Sequence, residues 1–217
     1  MSRFTESPHQ QGTEEWAAER IGMVTGSPIA ALFTTGKGLT RATYREHLRV
    51  EILTGQRSKA SFTNSKTEWG HEQEPAARMA YEIASGRDVK KHGFIKLNNM
   101  NVGCSLDGSV DDMAGIVEIK CPDSHTHFSY IVANEVPKEY VPQVNHNLWV
   151  TGAKFCDFIS FDPRAPEGLQ LLIVHYVPDE SVIKAHEAAV FQFLMELKRD
   201  VKILTDIQAA RLAAIPF

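Results

Sequence analysis

At 217 residues, with 43% hydrophobic and 23% charged side chains, the chain has an ordinary globular composition and room for one large domain. We expect no membrane span, because no apolar run approaches about 18 residues, and no secretory leader, because the first residues are polar. Cys104, Cys121 and Cys156 are too few and too scattered for a disulfide framework or a CxxC metal site. We expect them to be buried, reduced thiols.

The net charge of −4 by itself argues against binding to nucleic acid, but the charges are distributed unevenly. Residues 1–100 contain 14 Lys and Arg against 11 Asp and Glu, a balance of +3, which leaves 9 against 16, or −7, for residues 101–217. Arg41, Arg45 and Arg49 recur every fourth residue, so a helix would align them along one side. Such a stripe is either a solvated helix face or a track for DNA phosphates.

The first part of the chain has helical periodicity. Ser27 is a good N-cap and Pro28 a good first helical residue, so a helix is predicted to begin there. Residues 34–38 and 56–66 are predicted to be flexible loops. The predicted helices are 13–20, 27–33, 40–53 and 71–84, the last with Pro75 in its first turn.

Beyond residue 90 the periodicity becomes that of strands, interrupted by one helix and followed by a long amphipathic one. The predicted strands are 93–97, 102–106, 116–121, 155–161 and 169–177. Helices are predicted at 140–150 and from about residue 179, where Ile183, Val190, Leu197 and Leu204 repeat every seven residues. This order predicts a single α/β or α+β domain over residues 1–217, with a mixed central sheet flanked by helices.

The segment SLDGSVDDMAGIVEIKCP, residues 105–122, combines strand-forming residues with charges that strands normally lack. Glu118 and Lys120 are two residues apart and therefore share one face of the returning strand. A turn centred between Asp112 and Met113 would pair Asp107 with Glu118. The segment therefore predicts a hairpin with two carboxylates and one ammonium group at one end.

These three charged groups suit a metal-dependent reaction on a phosphodiester. Mg²⁺ prefers carboxylate oxygens and typically takes one or two of them together with water and substrate phosphates. A lysine beside the metal can hold or deprotonate the attacking water. The alternative is a surface hairpin with a cross-strand ion pair, although Ile116, Val117 and Ile119 favour a strand that is buried on both faces.

The spacing Asp107–x10–Glu118–Ile119–Lys120 is the pattern of the PD-(D/E)xK nucleases, with Leu106 where many members have proline. Several further motifs accompany it in order over residues 16–152: Trp16–x3–Arg20, VTGS, WGHEQEP, EIKCP and YVPQVNHNLWVTG. With these motifs the chain resembles the phage lambda exonuclease family, the viral-type alkaline exonucleases. The resemblance implies a restriction-endonuclease-like nuclease core.

The resemblance also implies roles for individual residues. Asp107 and Glu118 would bind two Mg²⁺ ions, which Mn²⁺ would replace, and the backbone carbonyl of Ile119 would be a further ligand. The implied catalytic set is Asp107, Glu118, Lys120, Glu74 and Gln143. Without the family, Gln143 and Asn147 read as a solvated helix face.

Arg20 and Ser27 form a second candidate site. The amides at the start of a helix capped by Ser27 would favour an anion, and Arg20 could add a forked guanidinium. The alternative is a simple helix cap beside a surface arginine. The resemblance implies that both residues grip the 5′-phosphate of the degraded strand. His71 and the tryptophans at 16, 69 and 149 are expected to be structural.

The implied function is a Mg²⁺-dependent 5′→3′ exonuclease on double-stranded DNA ends that releases mononucleotides and leaves 3′ overhangs. The resemblance further implies a phage-encoded protein of the bacterial cytoplasm, a single-strand annealing protein as partner, and a trimeric ring. The residues expected to face the duplex are Lys37, Arg41, Arg45 and Arg49. The alternatives are a restriction- or repair-type endonuclease and a non-catalytic module that binds DNA ends. An iron–sulfur nuclease is disfavoured, because three scattered cysteines cannot supply four cluster ligands.

Overall fold

A computed structural model describes residues 2–33, 40–58 and 65–215 as a mixed α/β structure in which helices flank two four-stranded sheets. The strands are β1 Phe4–Glu6, β2 Val24–Thr25, β3 Phe94–Leu97, β4 Val102–Ser105, β5 Gly108–Val110, β6 Gly115–Lys120, β7 Phe155–Phe161 and β8 Leu171–Tyr176. The helices are α1 Glu14–Glu19, α2 Arg41–Thr54, α3 Ser65–Ser85, α4 Ser124–Ala133, α5 Val141–Thr151 and α6 Glu180–Ala213.

The strands form two sheets where the sequence predicts a single mixed one. The first sheet has the order β1-β3-β4-β2, with only β2 and β4 parallel. The second has the order β5-β6-β7-β8, with only β6 and β7 parallel. The predicted class, a mixed sheet structure flanked by helices, is confirmed. The strands β1 and β2 and the helix α4 are missed, and β5 is predicted only as the first arm of the hairpin. Strands of two or three residues are too short to show a period.

The predicted hairpin is confirmed, and so is its register. Gly108 pairs with Val117 and Val110 with Gly115, so the turn is centred between residues 112 and 113. Asp107 stands one residue before β5, opposite Glu118 on β6. The hairpin therefore places both carboxylates at the end of the second sheet.

Helix α5 lies between the two sheets and against α6, and its residues 144–151 are all buried. Val144, Leu148 and Trp149 belong to the larger apolar core, which also contains residues of the first sheet, of α2 and α6, and of strands β6 and β7. A smaller core lies between α3 and the strands β6 and β7 and contains Tyr81 and Ile159. Because α5 crosses behind β6, its polar side chains can reach the charged end of the hairpin.

Two helix starts differ from the prediction. Ser27 is not an N-cap: a short 3-10 turn, Ile29–Leu32, begins after Pro28 and has no side-chain cap. Helix α3 begins six residues earlier than expected, so Pro75 lies inside it instead of in its first turn. The corrected start of α3 means that Glu74 projects from the middle of a helix.

The other helix predictions agree closely with the structure. Thr40 caps α2, and Gly55 and Gly152 end α2 and α5 with positive φ angles of 65° and 77°. Cys104, Cys121 and Cys156 are buried and unbridged, as predicted. Within the described ranges no helix is both long and apolar enough to cross a membrane.

Candidate active site

The charged end of the hairpin is a compact polar cluster. Glu118 on β6 is 1% exposed. The backbone N–H of Ile119 donates a 2.6 Å hydrogen bond to Oδ2 of Asp107, which fixes that carboxylate beside β6. The two carboxylates predicted to act together are thus brought together.

Three donors surround the buried Glu118 carboxylate. Lys120 Nζ and Gln143 Nε2 donate to its Oε1 at 2.5 and 2.6 Å. Asn147 Nδ2 donates to its Oε2 at 3.3 Å. Gln143 and Asn147 come from α5, and the interpretation of Asn147 as solvated is wrong, because it is buried. These bonds fix the orientation of Glu118 and offset the cost of burying its charge.

The cluster shifts the pKa values of two members. Burial and the neighbouring Glu118 raise the pKa of Asp107 to about 7. Burial would lower the pKa of Lys120, but the adjacent carboxylates of Glu118 and Asp107 outweigh it and the pKa is raised. The Lys120 ammonium also lies 4.8 Å from the ring centroid of Tyr140, a cation–π contact. Lys120 is therefore a cation at neutral pH.

The donor set suits a hard divalent cation with few protein ligands. Across the described ranges, no group of three or more His, Cys, Asp or Glu side chains gathers into a metal cluster. Asp107 and Glu118 supply two carboxylates, the number that Mg²⁺ typically takes from a protein. The N–H and C=O of one strand residue point to the same edge, so the carbonyl of Ile119 also faces the Asp107 side. These groups fit the predicted ligands.

Glu74 lies near the same cluster, as predicted. Its Oε1 accepts a 2.6 Å hydrogen bond from Arg78, one turn further along α3. Its charge contributes to raising the pKa of Asp107. Glu74 is therefore a third carboxylate near the pair, already held by an arginine.

The predicted anion site lies at the first sheet. Arg20 stacks over Trp16, 4.2 Å from the ring centroid, and its Nη1 donates a 2.9 Å hydrogen bond to Ser105 Oγ. Burial lowers the pKa of Arg20 to about 10, which leaves it charged. Gly26 lies so close to α5 that a Cβ there would be 2.6 Å from Asn147 Oδ1. This close packing holds the neighbouring Ser27 beside the site, although Ser27 caps no helix.

One pocket of about 900 Å³ joins the two sites. It is lined by the hairpin charges and by Arg20 and Ser27 together. Further lining residues come from α3, α4 and the segments that follow β6 and β7: Trp69, His71, Glu74, Thr126, Pro122 and Arg164. The pocket could hold a phosphate-bearing end at Arg20 with an adjacent phosphodiester at Asp107 and Glu118.

Several pocket residues were missed or assigned only structural roles. Trp16, Trp69 and His71 line the pocket, whereas Trp149 is buried in the core as expected. Ser105 and Tyr140 gave no signal by themselves. The tyrosine could have been found only from its place one turn before Gln143, in a helix expected to reach the site.

The arginine stripe of α2 faces α6. Arg41 and Arg45 donate to the two oxygens of Glu196 at 2.9 and 2.5 Å, and Arg45 also pairs with Asp200 at 2.9 Å. Arg49 lies 4.0 Å from Asp200. The hydrogen bond from Arg41 is the largest cause of the lowered pKa of Glu196. The stripe is thus engaged within the chain, and its contact with DNA stays a prediction. Lys37 lies outside the described residues.

Comparisons with known proteins identify the family of the chain. Residues 15–154 match the model of the YqaJ-like viral recombinase domain. A search of curated proteins found no match.

Solved structures give closer comparisons. The chain is 35% identical to the alkaline exonuclease LHK-Exo from Laribacter hongkongensis, with a TM-score of 0.83 over 92% of this chain and 100% of that one. LHK-Exo in complex with dAMP matches at 36% identity with the same TM-score and coverage. A phage-related exonuclease from Haemophilus somnus 129PT, 17% identical, shares the fold with a TM-score of 0.66 over 85% of this chain and 96% of that one. The chain therefore belongs to the YqaJ-like viral recombinase family, with the nuclease fold of the viral-type alkaline exonucleases.

Proposed function

We propose that this protein is a Mg²⁺-dependent 5′→3′ exonuclease that acts on double-stranded DNA ends. It would release 5′-mononucleotides and leave 3′ single-stranded overhangs for recombination by strand annealing. The observation that carries the proposal is the convergence of Asp107, Glu118 and Lys120 in one pocket with the Arg20 anion site. A nuclease core that does not bind DNA ends would need no such anion site beside the catalytic charges.

Asp107, Glu118 and the carbonyl of Ile119 would hold Mg²⁺, with two ions bound and Mn²⁺ able to replace them. When bound, the metal supplies Lewis-acid stabilisation of charge on the phosphodiester and an acidified water. Gln143 and Asn147 hold the Glu118 carboxylate in place before the metal arrives. This preorganisation lowers the cost of assembling the site.

Lys120 acts as a charged donor. Its raised pKa means that it carries its proton at neutral pH, so it cannot take a proton from water in the metal-free site. It would instead donate a hydrogen bond to the attacking water or to the phosphate oxygens and stabilise the negative charge that develops there. Tyr140 and Glu118 fix its ammonium group in the pocket.

The direction of digestion would follow from the Arg20 site. A 5′-terminal phosphate carries more charge than an internal phosphodiester, and Arg20 with Ser27 and Ser105 offers a cation and two hydroxyls to it. The relative LHK-Exo was solved with dAMP, a deoxynucleoside monophosphate. A mononucleotide bound by a relative of 36% identity supports the release of mononucleotides by this chain.

The assembly that best suits the charge distribution is a ring of three subunits around the duplex, acting with an annealing protein in the bacterial cytoplasm. A single chain with net charge −4 neutralises few phosphates, and affinity for DNA depends on that neutralisation. Three N-terminal halves, each with a balance of +3, could line a closed channel. Lys37, Arg41, Arg45 and Arg49 belong to this half, although Arg41, Arg45 and Arg49 are already paired with Glu196 or Asp200 within the chain.

Digestion of a linear duplex with one 5′-phosphate end and one 5′-hydroxyl end tests the proposal. We expect mononucleotides from the phosphorylated end, with Mg²⁺ or Mn²⁺ and not with EDTA. Closed circular DNA is the control: nicking of the circle would indicate an endonuclease instead. Binding of ends without degradation in Mg²⁺ would indicate a non-catalytic end-binding module.

A further inference from the structure

We propose that Arg164, stacked on Trp69, is a second contact for a backbone phosphate of the bound nucleic acid. It would act at the side of the pocket formed by the second sheet, whereas Arg20 acts at the first sheet. The inference rests on the proposed function, since it assumes a nucleic-acid substrate. It adds a residue that the sequence pattern of the nuclease core does not contain.

The topology places Arg164 at the catalytic edge. Strands β6 and β7 are parallel and pair from Gly115 with Phe155 to Lys120 with Ser160. Segments that follow parallel strands emerge at the same edge of a sheet, which is where α/β folds bind ligands. Pro122 follows β6 and Arg164 follows β7, and both line the pocket.

The guanidinium is held in a fixed orientation. Its Nε and Nη2 donate to the two carboxylate oxygens of Asp162 at 2.7 and 3.2 Å, and Nη2 also reaches the carbonyl of Pro122 at 3.3 Å. Asp162 is fully buried and also accepts a hydrogen bond from Ser124. Within the described part of the chain, Nη1 makes no hydrogen bond. One edge of the fork is therefore anchored while another remains for a ligand.

Trp69 supplies the platform. The centre of the Arg164 guanidinium lies 4.4 Å from its ring centroid. Trp69 is on α3, five residues before Glu74, and packs against the smaller core. The arginine side chain nevertheless keeps 47% of its surface exposed. A long side chain that is fixed by packing yet exposed loses little conformational entropy when it binds.

The pairing with Asp162 limits the size of the effect. Asp162 neutralises the charge of the Arg164 guanidinium. The hydrogen bond with Asp162 is the main cause of the raised pKa of Arg164, and the charge of Asp123 contributes further. Arg164 therefore contributes a directed hydrogen bond from a permanent cation, but little net positive charge. We expect a contribution to affinity of about 3- to 10-fold, below that of an unpaired arginine at a phosphate.

The test measures DNA binding as a function of salt. The double variant D162N/R164Q removes both charges and so leaves no buried carboxylate unpaired. In Ca²⁺, with a fluorescent duplex, we expect its affinity to fall about 3- to 10-fold, while the slope of log K against log salt changes by much less than one, because the variant removes one positive and one negative charge. Arg199→Gln is the control, because Arg199 is exposed on α6 away from the pocket residues, and should change neither quantity. An unchanged affinity in the folded double variant would overturn the proposal.

A second measurement uses the unaltered protein. Phenylglyoxal modifies accessible arginines, and mass spectrometry then reports each site. Duplex DNA should protect Arg164 and leave Arg199 reactive; equal reactivity of Arg164 with and without DNA would refute the contact. If the wild-type protein digests duplex ends while Arg164 stays unprotected, only this inference fails. If the wild-type protein neither binds nor digests duplex DNA, the proposed function itself fails.

Discussion

Two groups of arginines in this molecule have different surroundings. Arg41 and Arg45 on α2 point at the carboxylates of α6 and form ion pairs there. Arg20 and Arg164 stack on tryptophans and line the pocket that holds the catalytic charges. The regular stripe is the more conspicuous in the sequence, whereas the pocket arginines stand alone. Regular spacing shows that charges share a helix face, but not what that face meets.

The largest effects on the cleavage rate are expected from substitutions of the charged residues in the pocket. Asp107→Ala and Glu118→Ala should each reduce cleavage by at least about 10³-fold, and Lys120→Ala by about 10²- to 10³-fold, because each removes a ligand or a charge from the transition state. Rates on a labelled duplex measure this, and calorimetric Mg²⁺ titration should show loss of affinity only in the carboxylate variants.

The matched control comes from the stripe. Arg45→Ala removes a positive charge, as Lys120→Ala does, but from a side chain that is paired with α6. The Arg45→Ala variant should retain most of the cleavage rate. Near-normal activity of Asp107→Ala would contradict the nuclease assignment.

Arg20 should show the next largest effect, and a selective one. Arg20→Ala should slow digestion of 5′-phosphorylated ends about 10- to 100-fold, the range expected for a lost hydrogen bond to a charged group. Ends with a 5′-hydroxyl should slow much less, since they lack the terminal charge. Parallel time courses on the two substrates provide the measurement. Equal slowing of both would make Arg20 a general backbone contact instead.

The sequence predicts the chemistry of the site better than its surroundings. The hairpin register follows from a local turn and the period of two, so the pairing of Asp107 with Glu118 is predictable from residues 105–122. The Glu196 partners of α2 lie about 150 residues away in the chain, and no local pattern encodes them. Burial of the polar Asn147 on α5 is similarly hidden, because it depends on both sheets meeting that helix.

The pH dependence of stability tests the contact between the N-terminal part of α6 and helix α5. His146 and His186 are buried, with their ring nitrogens 3.2 Å apart. Burial lowers the pKa of His146 to about 3, with a further contribution from His186, and burial lowers the pKa of His186 to about 4. In the unfolded chain both histidines have a pKa of about 6.5. Their contribution to stability is therefore present above the unfolded pKa and is lost as the pH falls below it, down to about 4 for His186 and about 3 for His146.

The free energy of unfolding should then fall by up to about 1.4 kcal/mol per pH unit for each histidine. Asp107 titrates in the opposite sense, because its folded pKa is raised, so the experiment belongs in an Asp107→Asn background. Denaturant unfolding at pH 7.0, 6.0 and 5.0 gives the slope, and His186→Gln should reduce it by one proton. A slope that is the same with and without His186 would contradict the buried neutral pair.

The smallest effect is expected from the stripe, and it decides the comparison between the two arginine groups. Arg45 and its partners Glu196 and Asp200 are only partly exposed, at 27%, 20% and 15% of their side-chain surfaces. Arg45→Ala should lower the free energy of unfolding by about 1 kcal/mol, at the upper end for exposed ion pairs, and the loss should shrink at high salt. Duplex affinity should change less than twofold, with an unchanged salt slope. If affinity instead fell tenfold with a smaller slope, the stripe would contact DNA despite its ion pairs, and the charged channel predicted from the sequence would be supported.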